Sequence, residues 1–520
     1  MEPEPVAAED LHACEALARA HGATLAGLAA APVEVEVRLL RGLLGLVKII
    51  GLPDSALRES RERVASAIKA SGRVFPERSL LVNLAPAELR KVGPGLDLPI
   101  ACGVLAASGQ LEQSALTGRI LFGELALDGR LRPVRGAVAV ALLARQLGRP
   151  LVLPRASLPE VALVGGLDAW PADDLPEALA LLEGLRAPQR PPAQAPEAAA
   201  PADVAWDAIV GQDLAKQALV IAAAGGHHVL LTGPPGTGKS MLAKSLSALF
   251  SDLDEAGALE VLCIHSAAGL PARVRSRQPP LRAPHCSVTL AGMAGGGAVP
   301  RPGEMTLAHL GVLFLDELPQ FRREVVDLLR APLEEGEIVL ARAGRSLKFP
   351  ARFQLVAAMN PCPCGRAGET ELACSCSAAQ IARHRQRVSG PVLDRIDLSV
   401  HVPFVPAEAR HRSDAALSAD PTRRRIAALR ERTTARNGGR WNAEIPPGEL
   451  DATCVLARDC SDWLLRTIDR LHLSVRAHHR ILRVARTIAD LDERAEISRE
   501  DLARALSFRE PDPVDALQKS

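Results

Sequence analysis

Eight consecutive residues, Gly233 to Ser240, carry the clearest chemistry in the sequence. They match the phosphate-binding pattern G-x-x-x-x-G-K-[ST] and lie between a strand-like and a helix-like run. In such a loop, backbone N–H groups surround a β-phosphate, the lysine reaches the β and γ oxygens, and the hydroxyl binds Mg²⁺. The residues are Gly233, Pro234, Pro235, Gly236, Thr237, Gly238, Lys239 and Ser240. The flanking elements disfavour a simple glycine-rich turn, so we predict a site for a nucleoside triphosphate with Mg²⁺.

Two acidic residues, Asp316 and Glu317, directly follow the apolar run Val312–Leu315. We predict that this run is a buried strand whose C-terminal end presents both carboxylates, because open parallel sheets bind ligands at that end. There Asp316 would hold Mg²⁺ through water, and Glu317 would polarise the attacking water. Taken alone, the pair would more simply cap a turn. With the phosphate loop, it completes a site for phosphoryl transfer.

Four cysteines form a second group of candidate ligands. They are Cys362, Cys364, Cys374 and Cys376. The two C-x-C pairs are separated by nine residues, which include Gly365 and Gly368. Four thiolates can close a tetrahedral structural Zn²⁺ site, although C-x-C is less diagnostic than C-x-x-C. Zinc is favoured over free thiols, and both interpretations stay open.

Hydrophobic spacing predicts the elements that position these groups. His228–Thr232 predicts a short strand before the phosphate loop, and Met241–Phe250 predicts a helix after it. Val33–Arg38 alternates like a strand and Ala137–Gln146 has helical spacing, which together indicate an α+β N-terminal domain. From about Val405 onward, helical spacing predicts a helical C-terminal part.

The length and composition of the chain narrow its class. Its 520 residues predict three or four domains, and its net charge of +1 excludes a uniformly basic nucleic-acid coat protein. The acidic start, and the lack of an apolar run near ~18 residues, predict a cytoplasmic protein without a membrane span. Ten cysteines without a secretion signal indicate thiols or metal ligands. The Pro- and Ala-rich stretch Arg186–Pro201 predicts a linker.

Several motifs, taken in order, resemble the AAA+ ATPases, and specifically their magnesium-chelatase-like branch. The motifs are Gly211-Gln212, Gly233–Ser240, Gly303–Glu317, Met359–Gly365 and Ser389–Leu398. They look closely like the competence helicase family ComM, also called YifB. With the N-terminal part included, the resemblance covers nearly the whole chain.

The resemblance implies roles for three further residues. Asn360 would be sensor 1, an amide that orients the lytic water, and Arg395 would be the arginine finger that reaches a neighbouring subunit's γ-phosphate. Arg476 would be sensor 2, although Arg480 and Arg483 lie on nearly the same helix face. Without the resemblance, each residue would more simply form a surface ion pair or a cap. A finger that acts between subunits implies a ring, and we expect a homo-hexamer.

The resemblance also implies two segments that face the centre of such a ring. Arg282–Gly303 fits the loop insertion of this branch, and Ile338–Pro350 reads as a hairpin broken at Ala343-Gly344. Either segment could touch a polymer threaded through the ring. The family usually has two adjacent histidines where this chain has His285-Cys286.

The segment Leu121–Val134 resembles the proteolytic domain of Lon. Lon-type peptidases need a serine nucleophile and a lysine base. Here the lysine position falls on Val138, and Gly93–Asp97 offers no serine. We therefore predict a Lon-like, non-proteolytic N-terminal domain that serves assembly or DNA binding, and we expect no ATP-dependent peptidase activity.

Residues 410–440 hold nine arginines against three acidic residues, a local charge of +6. This basic run could bind nucleic-acid phosphates, or it could be the solvated face of a helix. The chain has 9 Phe, 4 Trp and no Tyr, which disfavours base stacking as the main mode of DNA binding. Contact with the DNA backbone in a basic pore fits better.

These features predict an α/β protein in four parts. They are a Lon-like α+β domain (1–184), a Pro/Ala-rich linker (185–203), an AAA+ P-loop core (204–404) with a zinc-binding insertion (362–376), and a helical lid (405–510). By resemblance, the protein would use ATP and Mg²⁺ to move on DNA, as a branch-migration helicase of natural transformation. The alternative is a chelatase-type motor that remodels a protein partner for metal insertion into a tetrapyrrole.

Overall fold

The chain divides into two compact units. Unit 1 comprises residues 1–198, 258–276 and 299–301, and unit 2 comprises residues 199–257, 277–298 and 302–520. The computed structural model describes residues 17–44, 46–188, 206–270, 277–297, 300–342, 345–368, 373–405 and 418–509. The predictions outside these described residues concern linker residues 189–203, the turn Ala343-Gly344, and Arg410 and Arg412 of the basic run.

The first part of unit 1, up to residue 198, contains nine described strands and six described α-helices. The strands are β1 (Leu17–Ala26), β2 (Ala29–Leu44), β3 (Val47–Ile50), β4 (Arg78–Ala85), β5 (Ile120–Leu121), β6 (Glu124–Leu125), β7 (Leu131–Arg132), β8 (Leu151–Pro154) and β9 (Ala169–Ala172). The helices are α1 (Ser55–Arg58), α2 (Ser60–Ala70), α3 (Asp97–Ala107), α4 (Ala137–Gln146), α5 (Leu158–Val161) and α6 (Leu175–Leu182). The strands form a sheet in the order β1-β2-β4-β3, a parallel sheet β5-β8-β9, and the pair β6-β7.

The core of unit 1 follows from hydrophobic pattern. Val33, Val35 and Val37 of β2 are buried while the residues between them are not, which confirms the predicted strand. Helix α3 is apolar on almost every side and is buried along nearly its whole length. The predicted helix Ala137–Gln146 is confirmed as α4, and its buried face shares a core with Leu262 from the 258–276 segment. That segment belongs to unit 1 although it lies inside the range 204–404.

The remaining elements, apart from most of α9 and part of β13, belong to unit 2. The strands are β10 (Val229–Thr232), β11 (Leu281–Arg282), β12 (Gly295–Gly296), β13 (Arg301–Pro302), β14 (Val312–Leu315), β15 (Glu337–Arg342), β16 (Arg345–Pro350), β17 (Gln354–Met359) and β18 (Leu398–His401). The helices are α7 (Asp213–Gly225), α8 (Lys239–Ser245), α9 (Glu255–Ala268), α10 (Leu290–Ala294), α11 (Glu304–Leu307), α12 (Arg323–Asp327), α13 (Pro332–Glu335), α14 (Ala378–Arg385), α15 (Gly390–Leu393), α16 (Ala419–Arg436), α17 (Leu450–Thr453), α18 (Arg458–Leu471), α19 (Val475–Leu491) and α20 (Arg499–Ser507).

A five-stranded parallel sheet organises unit 2, in the order β11-β14-β17-β10-β18. Strands β10, β14 and β17 are buried throughout and are apolar except at Thr232 and Gln354, as expected for parallel strands covered on both faces. This mixed α/β architecture is consistent with an AAA+ core. Because the strands are parallel, the C-terminal ends of β14, β17 and β10 lie side by side, and the predicted phosphate and carboxylate residues follow them directly.

Two predictions of elements around this sheet have different outcomes. The hairpin is confirmed, since β15 pairs antiparallel with β16 and Ile338 lies opposite Phe349. The single helix Met241–Phe250 is wrong in extent: α8 ends at Ser245 and a 3₁₀ turn, Leu246–Leu249, follows it. The apolar face is kept, because Leu242, Leu246 and Leu249 are all buried.

The C-terminal part is helical, as predicted. Ile426 of α16, Leu464 of α18 and Ile481 of α19 are buried in the same core as the sheet strands β10 and β18. The buried guanidinium of Arg430 in α16 lies over the rings of Phe250 and Trp441, at 5.0 and 4.5 Å from the ring centroids. Among the described helices, none combines the length and the apolar character needed to cross a membrane.

Candidate nucleotide site

The phosphate loop joins β10 to α8, and its backbone requires glycine. Gly236 and Gly238 have φ values of +82° and +90°, in the left-handed region that L side chains rarely adopt. Gly233 lies so close to the chain after β18 that a Cβ atom there would be 2.3 Å from the Val402 carbonyl oxygen. The three glycines of the motif therefore meet local steric demands of this turn.

Lys239 is buried at the start of α8. Its ammonium donates to the carbonyl oxygens of Gly233 at 2.8 Å and Pro234 at 2.7 Å, and to Asn360 Oδ1 at 3.1 Å. Burial lowers the pKa of Lys239, and the two carboxylates after β14 oppose that shift. Three oxygen acceptors thus hold the ammonium, and phosphate oxygens could take their place.

Ser240 and Asp316 are brought into direct contact. Ser240 Oγ donates to Asp316 Oδ2 at 2.5 Å, and Asp316 Oδ1 accepts from the Glu317 N–H at 3.0 Å. Hydroxyl and carboxylate oxygens are ligands that Mg²⁺ prefers, so this pair fits the ion. Glu317 is exposed and has a φ of +53°, a left-handed conformation that costs a non-glycine residue on the order of 1 kcal/mol and tends to occur at functional sites.

Asn360 follows β17, the strand between β14 and β10. Its side-chain oxygen accepts from Lys239, and its backbone oxygen lies 3.1 Å from His384 Nε2. Burial lowers the pKa of His384, which favours a neutral imidazole that donates through Nε2. The ends of three adjacent strands therefore bring Lys239, Asp316 and Asn360 together.

The two remaining predicted arginines bind one carboxylate on α13. Arg395 Nη2 lies 2.9 Å from Glu334 Oε2, and Arg476 Nη2 lies 3.2 Å from Glu334 Oε1. Arg395 also donates from Nη1 to the Pro391 carbonyl at 2.6 Å. Its Nε is buried and has no hydrogen-bond partner among the residues that the structure describes. The two segments therefore converge on Glu334.

The structure separates Arg476 from the other arginines of α19. The side chain of Arg476 is 57% exposed, whereas Arg480 is buried and binds Asp397 Oδ1 at 3.1 Å. Although burial opposes ionisation, Arg480 and His227 hold the pKa of Asp397 well below its usual range. Arg483 donates to the Ile445 carbonyl at 2.9 Å. Arg480 and Arg483 are thus bound within the core, and Arg476 keeps access to solvent.

The four predicted cysteine ligands converge in space. Their sulfur atoms all lie within 4.8 Å of one another. The Sγ atoms of Cys362 and Cys364 are 3.4 Å apart, and Cys374 Sγ lies 3.7 and 3.5 Å from them. A tetrahedral site with Zn–S bonds of about 2.3 Å requires S···S separations of about 3.8 Å. The donor set and its spacing therefore fit Zn²⁺.

The described arginines of the basic run mostly have partners inside unit 2. Arg436 binds both oxygens of Asp490 at 2.8 Å, and Arg440 binds Glu449 at 2.6 Å. The other ion pairs join Arg423 to Asp420, Arg425 to Asp492 and Arg432 to Glu493. These ion pairs favour the interpretation of the run as a paired helix surface over a phosphate-binding patch.

Val138, at the position of the lysine base in Lon-type peptidases, is surrounded by apolar residues. Val138 is fully buried in the first turns of α4, in a core with Ile120 and Leu151. Asp97 is the last residue of Gly93–Asp97, the segment that lacks the Lon-type serine. It is buried and accepts from Arg63 Nε at 2.7 Å and from Arg63 Nη2 at 3.0 Å. The likeness of this unit to Lon stays a prediction.

Comparison with known protein families decides the family. A model of the magnesium chelatase subunit ChlI matches residues 205–410, a second ChlI model matches 35–157, and a model of the ChlI C-terminal part matches 417–509. The chain is 44% identical to the protein YifB of Salmonella typhimurium over 95% of this chain and 97% of that protein. The chain belongs to the ComM/YifB family.

Two further relatives define the place of this family. The chain is 41% identical to the competence protein ComM of Haemophilus influenzae, over 93% of this chain and 95% of that protein. It is 36% identical to the magnesium-chelatase 38 kDa subunit of Acidiphilium rubrum, but over only 30% of this chain and 52% of that protein. The ComM/YifB family is therefore magnesium-chelatase-like, and the YifB and ComM proteins compared match nearly the whole length of this chain.

Sequence reasoning missed two residues of the site, Glu334 and His384. Glu334 stands in a short helix between two motifs and carries no motif of its own. His384 lies in α14, eight residues after Cys376, and only the folded chain returns it to Asn360. A search for polar residues between the quoted motifs would have included both, but the sequence offered no reason to prefer them.

Proposed function

We propose that this chain is a ring-forming ATPase that couples ATP hydrolysis to movement on DNA. The observation that carries the ATPase assignment is the set of hydrogen bonds at the ends of β10, β14 and β17, where Lys239, Ser240, Asp316 and Asn360 meet. Lys239 would bind the β and γ oxygens of ATP, and Ser240 and Asp316 would hold Mg²⁺, which neutralises phosphate charge. Glu317 would polarise the attacking water and Asn360 would orient it.

Two arginines support the proposed ring. Arg395 has a buried Nε without a partner among the described residues, and both Arg395 and Arg476 contact Glu334. A planar guanidinium stabilises the charge that develops on a transferred phosphoryl group. We propose that Arg395 acts as the finger and Arg476 as sensor 2 on a nucleotide held between protomers of a hexamer. This assignment would explain why the two arginines share one carboxylate in a single chain.

The DNA assignment rests on the relatives. A protein named for competence matches this chain over nearly its full length, and competence is the uptake of DNA. We propose branch migration during transformation as the activity, with the β15–β16 hairpin and the 282–297 segment in contact with the DNA backbone. Lys348 of β16 is a candidate for such a contact, since its side chain is 68% exposed and its present partner is Glu337, at 2.7 Å.

The second candidate is a chelatase-type motor that remodels a protein partner. Its support is the match of the ATPase part and the C-terminal part to models of a magnesium chelatase subunit. The named chelatase relative covers 30% of this chain, whereas ComM covers 93%. The DNA motor is therefore the better proposal.

We also propose that the four cysteines hold a structural Zn²⁺. Each cysteine supplies one sulfur, and four sulfurs fill a tetrahedral coordination shell, so the metal would have no open position for catalysis. The chemistry that the ion would supply is a cross-link between two short chain segments.

A branch-migration assay tests the function. Purified protein is mixed with a labelled Holliday or three-way junction, with and without ATP, and ATP hydrolysis is measured with and without that DNA. We expect ATP-dependent conversion of the junction and faster hydrolysis with DNA, and neither with Lys239→Ala. Hydrolysis without DNA stimulation and without strand movement would overturn the DNA motor while leaving the ATPase in place.

A further inference from the structure

The loop that carries the four cysteines starts directly after Asn360 and leads into α14, which returns to contact Asn360. Cys362 is the second residue after Asn360, and α14 begins directly after Cys376 and Ser377. From α14, His384 Nε2 returns to the Asn360 carbonyl oxygen at 3.1 Å. A cross-link between the sulfurs would therefore join the chain that directly follows Asn360 to the start of α14, whose His384 contacts the Asn360 carbonyl oxygen.

The same loop lies against the phosphate loop. Gly365 has a φ of +80°, and its N–H donates to the Cys362 carbonyl at 3.0 Å, which forms a tight turn. A Cβ atom at Gly365 would be 2.4 Å from Cδ of Pro235. The turn between the first two cysteines is thus in direct contact with the residues that surround a bound phosphate.

Among the described residues of this loop, 361–368 and 373–377, the apolar packing is limited to one small cluster. Its core cluster contains Cys362, Ala367 and Ile381 besides the other three cysteines. So small an apolar cluster buries little surface, and a bound metal can supply the missing stabilisation, as in small metal-dependent domains. Two backbone N–H groups point at sulfurs, from Ala367 to Cys362 Sγ at 3.3 Å and from Cys376 to Cys374 Sγ at 3.4 Å, as expected around thiolate ligands.

We infer that the four-cysteine site, when it holds a thiolate-binding metal ion, is a positioning element for Asn360, so that metal occupancy sets the rate of ATP hydrolysis. This inference rests on the proposed ATPase function. The side-chain oxygen of Asn360 already meets Lys239 at 3.1 Å, and a displacement of about 1 Å at a catalytic group can cost on the order of a hundredfold in rate. Binding of ATP depends mainly on the phosphate loop, so it should change less.

The first experiment compares zinc-loaded protein, protein stripped with a zinc-selective chelator and desalted, and stripped protein reloaded with Zn²⁺. Metal content is measured by elemental analysis, kcat by phosphate release without DNA, and affinity with a fluorescent ATP analogue. We expect about one zinc per chain, a fall of kcat by about ten- to hundredfold on stripping, recovery on reloading, and affinity within about threefold. Stripped protein with the kcat of loaded protein would overturn the inference.

Cobalt provides a readout besides activity. Stripped protein titrated with Co²⁺ should develop the absorption bands of a tetrahedral thiolate site, and Cys374→Ser with Cys376→Ser should lose them. The control is Cys263→Ser, which removes a thiol from unit 1 and should keep the bands, the zinc and the kcat. If the double variant does not fold, stripping and reloading of the natural protein still decide the matter. Absence of cobalt bands in the natural protein would overturn the metal site itself.

Variants of His384 and Asn360 separate positioning from general stability. His384→Ala should keep zinc and lose several-fold in kcat, whereas His384→Gln, which can still donate to the Asn360 carbonyl, should regain most of it. In an Asn360→Ala background, stripping the zinc should cost little more, because both changes act on one residue. If the loss of kcat caused by stripping the zinc is as large in Asn360→Ala as in the natural protein, the inference is contradicted. Zinc-loaded protein without any ATPase activity would instead contradict the proposed function.

Discussion

The phosphate site and the arginine pair of unit 2 are built in opposite ways. Within one chain Lys239 donates to Asn360 and Ser240 donates to Asp316, so the proposed phosphate-binding geometry is largely formed before ATP arrives. Arg395 and Arg476 instead bind Glu334, a residue without any motif. On the proposed roles, one chain would carry the phosphate-binding half of the site already formed, while its own Glu334 would bind the arginine half.

The largest expected effect comes from breaking the preformed half. Lys239→Ala removes the buried ammonium that would bind the β and γ oxygens, so we expect ATP affinity or kcat/KM to fall by at least about a hundredfold. Affinity is measured with a fluorescent ATP analogue and turnover by phosphate release. Lys244→Ala, on the same helix α8, is the matched control and should stay within about twofold. Equal effects of the two changes would show that the phosphate loop is not the site.

Changes in the arginine half of the site should lower kcat and leave ATP affinity nearly unchanged. Arg395→Ala removes a guanidinium that, on the proposed role, would act only on the transition state, so we expect kcat to fall by about a thousandfold with ATP affinity nearly unchanged. Arg395→Lys should recover little, because a lysine cannot reproduce the planar fork. The same pair of assays measures both quantities, and a kcat near that of the natural protein would reject the finger.

Variants of Glu334 test whether its carboxylate holds the two arginines away from the nucleotide or orients them for catalysis. To reach a phosphate, each arginine must first leave the Glu334 carboxylate. Glu334→Gln removes the negative charge that binds them, so we expect ATPase activity at low protein concentration to rise by about two- to fivefold. Glu335→Gln, at the neighbouring exposed position, is the control and should change little. A loss of activity confined to Glu334→Gln would show that the carboxylate orients the arginines for catalysis, which would break the comparison.

The smallest effect is expected on the surface of α16. Arg423 and Arg432 already bind Asp420 and Glu493, so replacing both by Ala should change DNA affinity by less than about twofold. Affinity is measured by fluorescence anisotropy at several salt concentrations. An arginine that binds a DNA phosphate contributes about one to the slope of log affinity against log salt concentration, so a slope smaller by about two would restore the phosphate-binding interpretation.

The parts of this site that sequence could predict are those in which one short segment fixes its own geometry. The phosphate loop needs left-handed glycines between a strand and a helix, and the run ending at Leu315 has the pattern of a strand buried on both faces. Those constraints are local, and pattern reveals them. The α/β class and the helical C-terminal part followed in the same way.

What sequence could not predict depends on contacts between distant segments. The sequence placed Arg476, Arg480 and Arg483 on nearly the same helix face, and only the folded chain shows that Arg480 is buried beside Asp397 while Arg476 is exposed. Leu262, in the middle of the predicted ATPase range, joins the core of unit 1. The helix after the phosphate loop tightened into a 3₁₀ turn while keeping its apolar packing, a detail that tertiary structure decides.

Catalysis between protomers can be tested most directly by mixing two inactive variants. Glu317→Gln would lack the proposed water-polarising carboxylate and Arg395→Ala the proposed finger, so each protein alone should be inactive. In a mixed ring, an intact phosphate site on one protomer meets an intact Arg395 on the next at roughly a quarter of the interfaces, so ATPase activity should return on mixing. If the two variants assemble together, as shown by pulling down one through a tag on the other, and activity still does not return, the finger acts within its own chain.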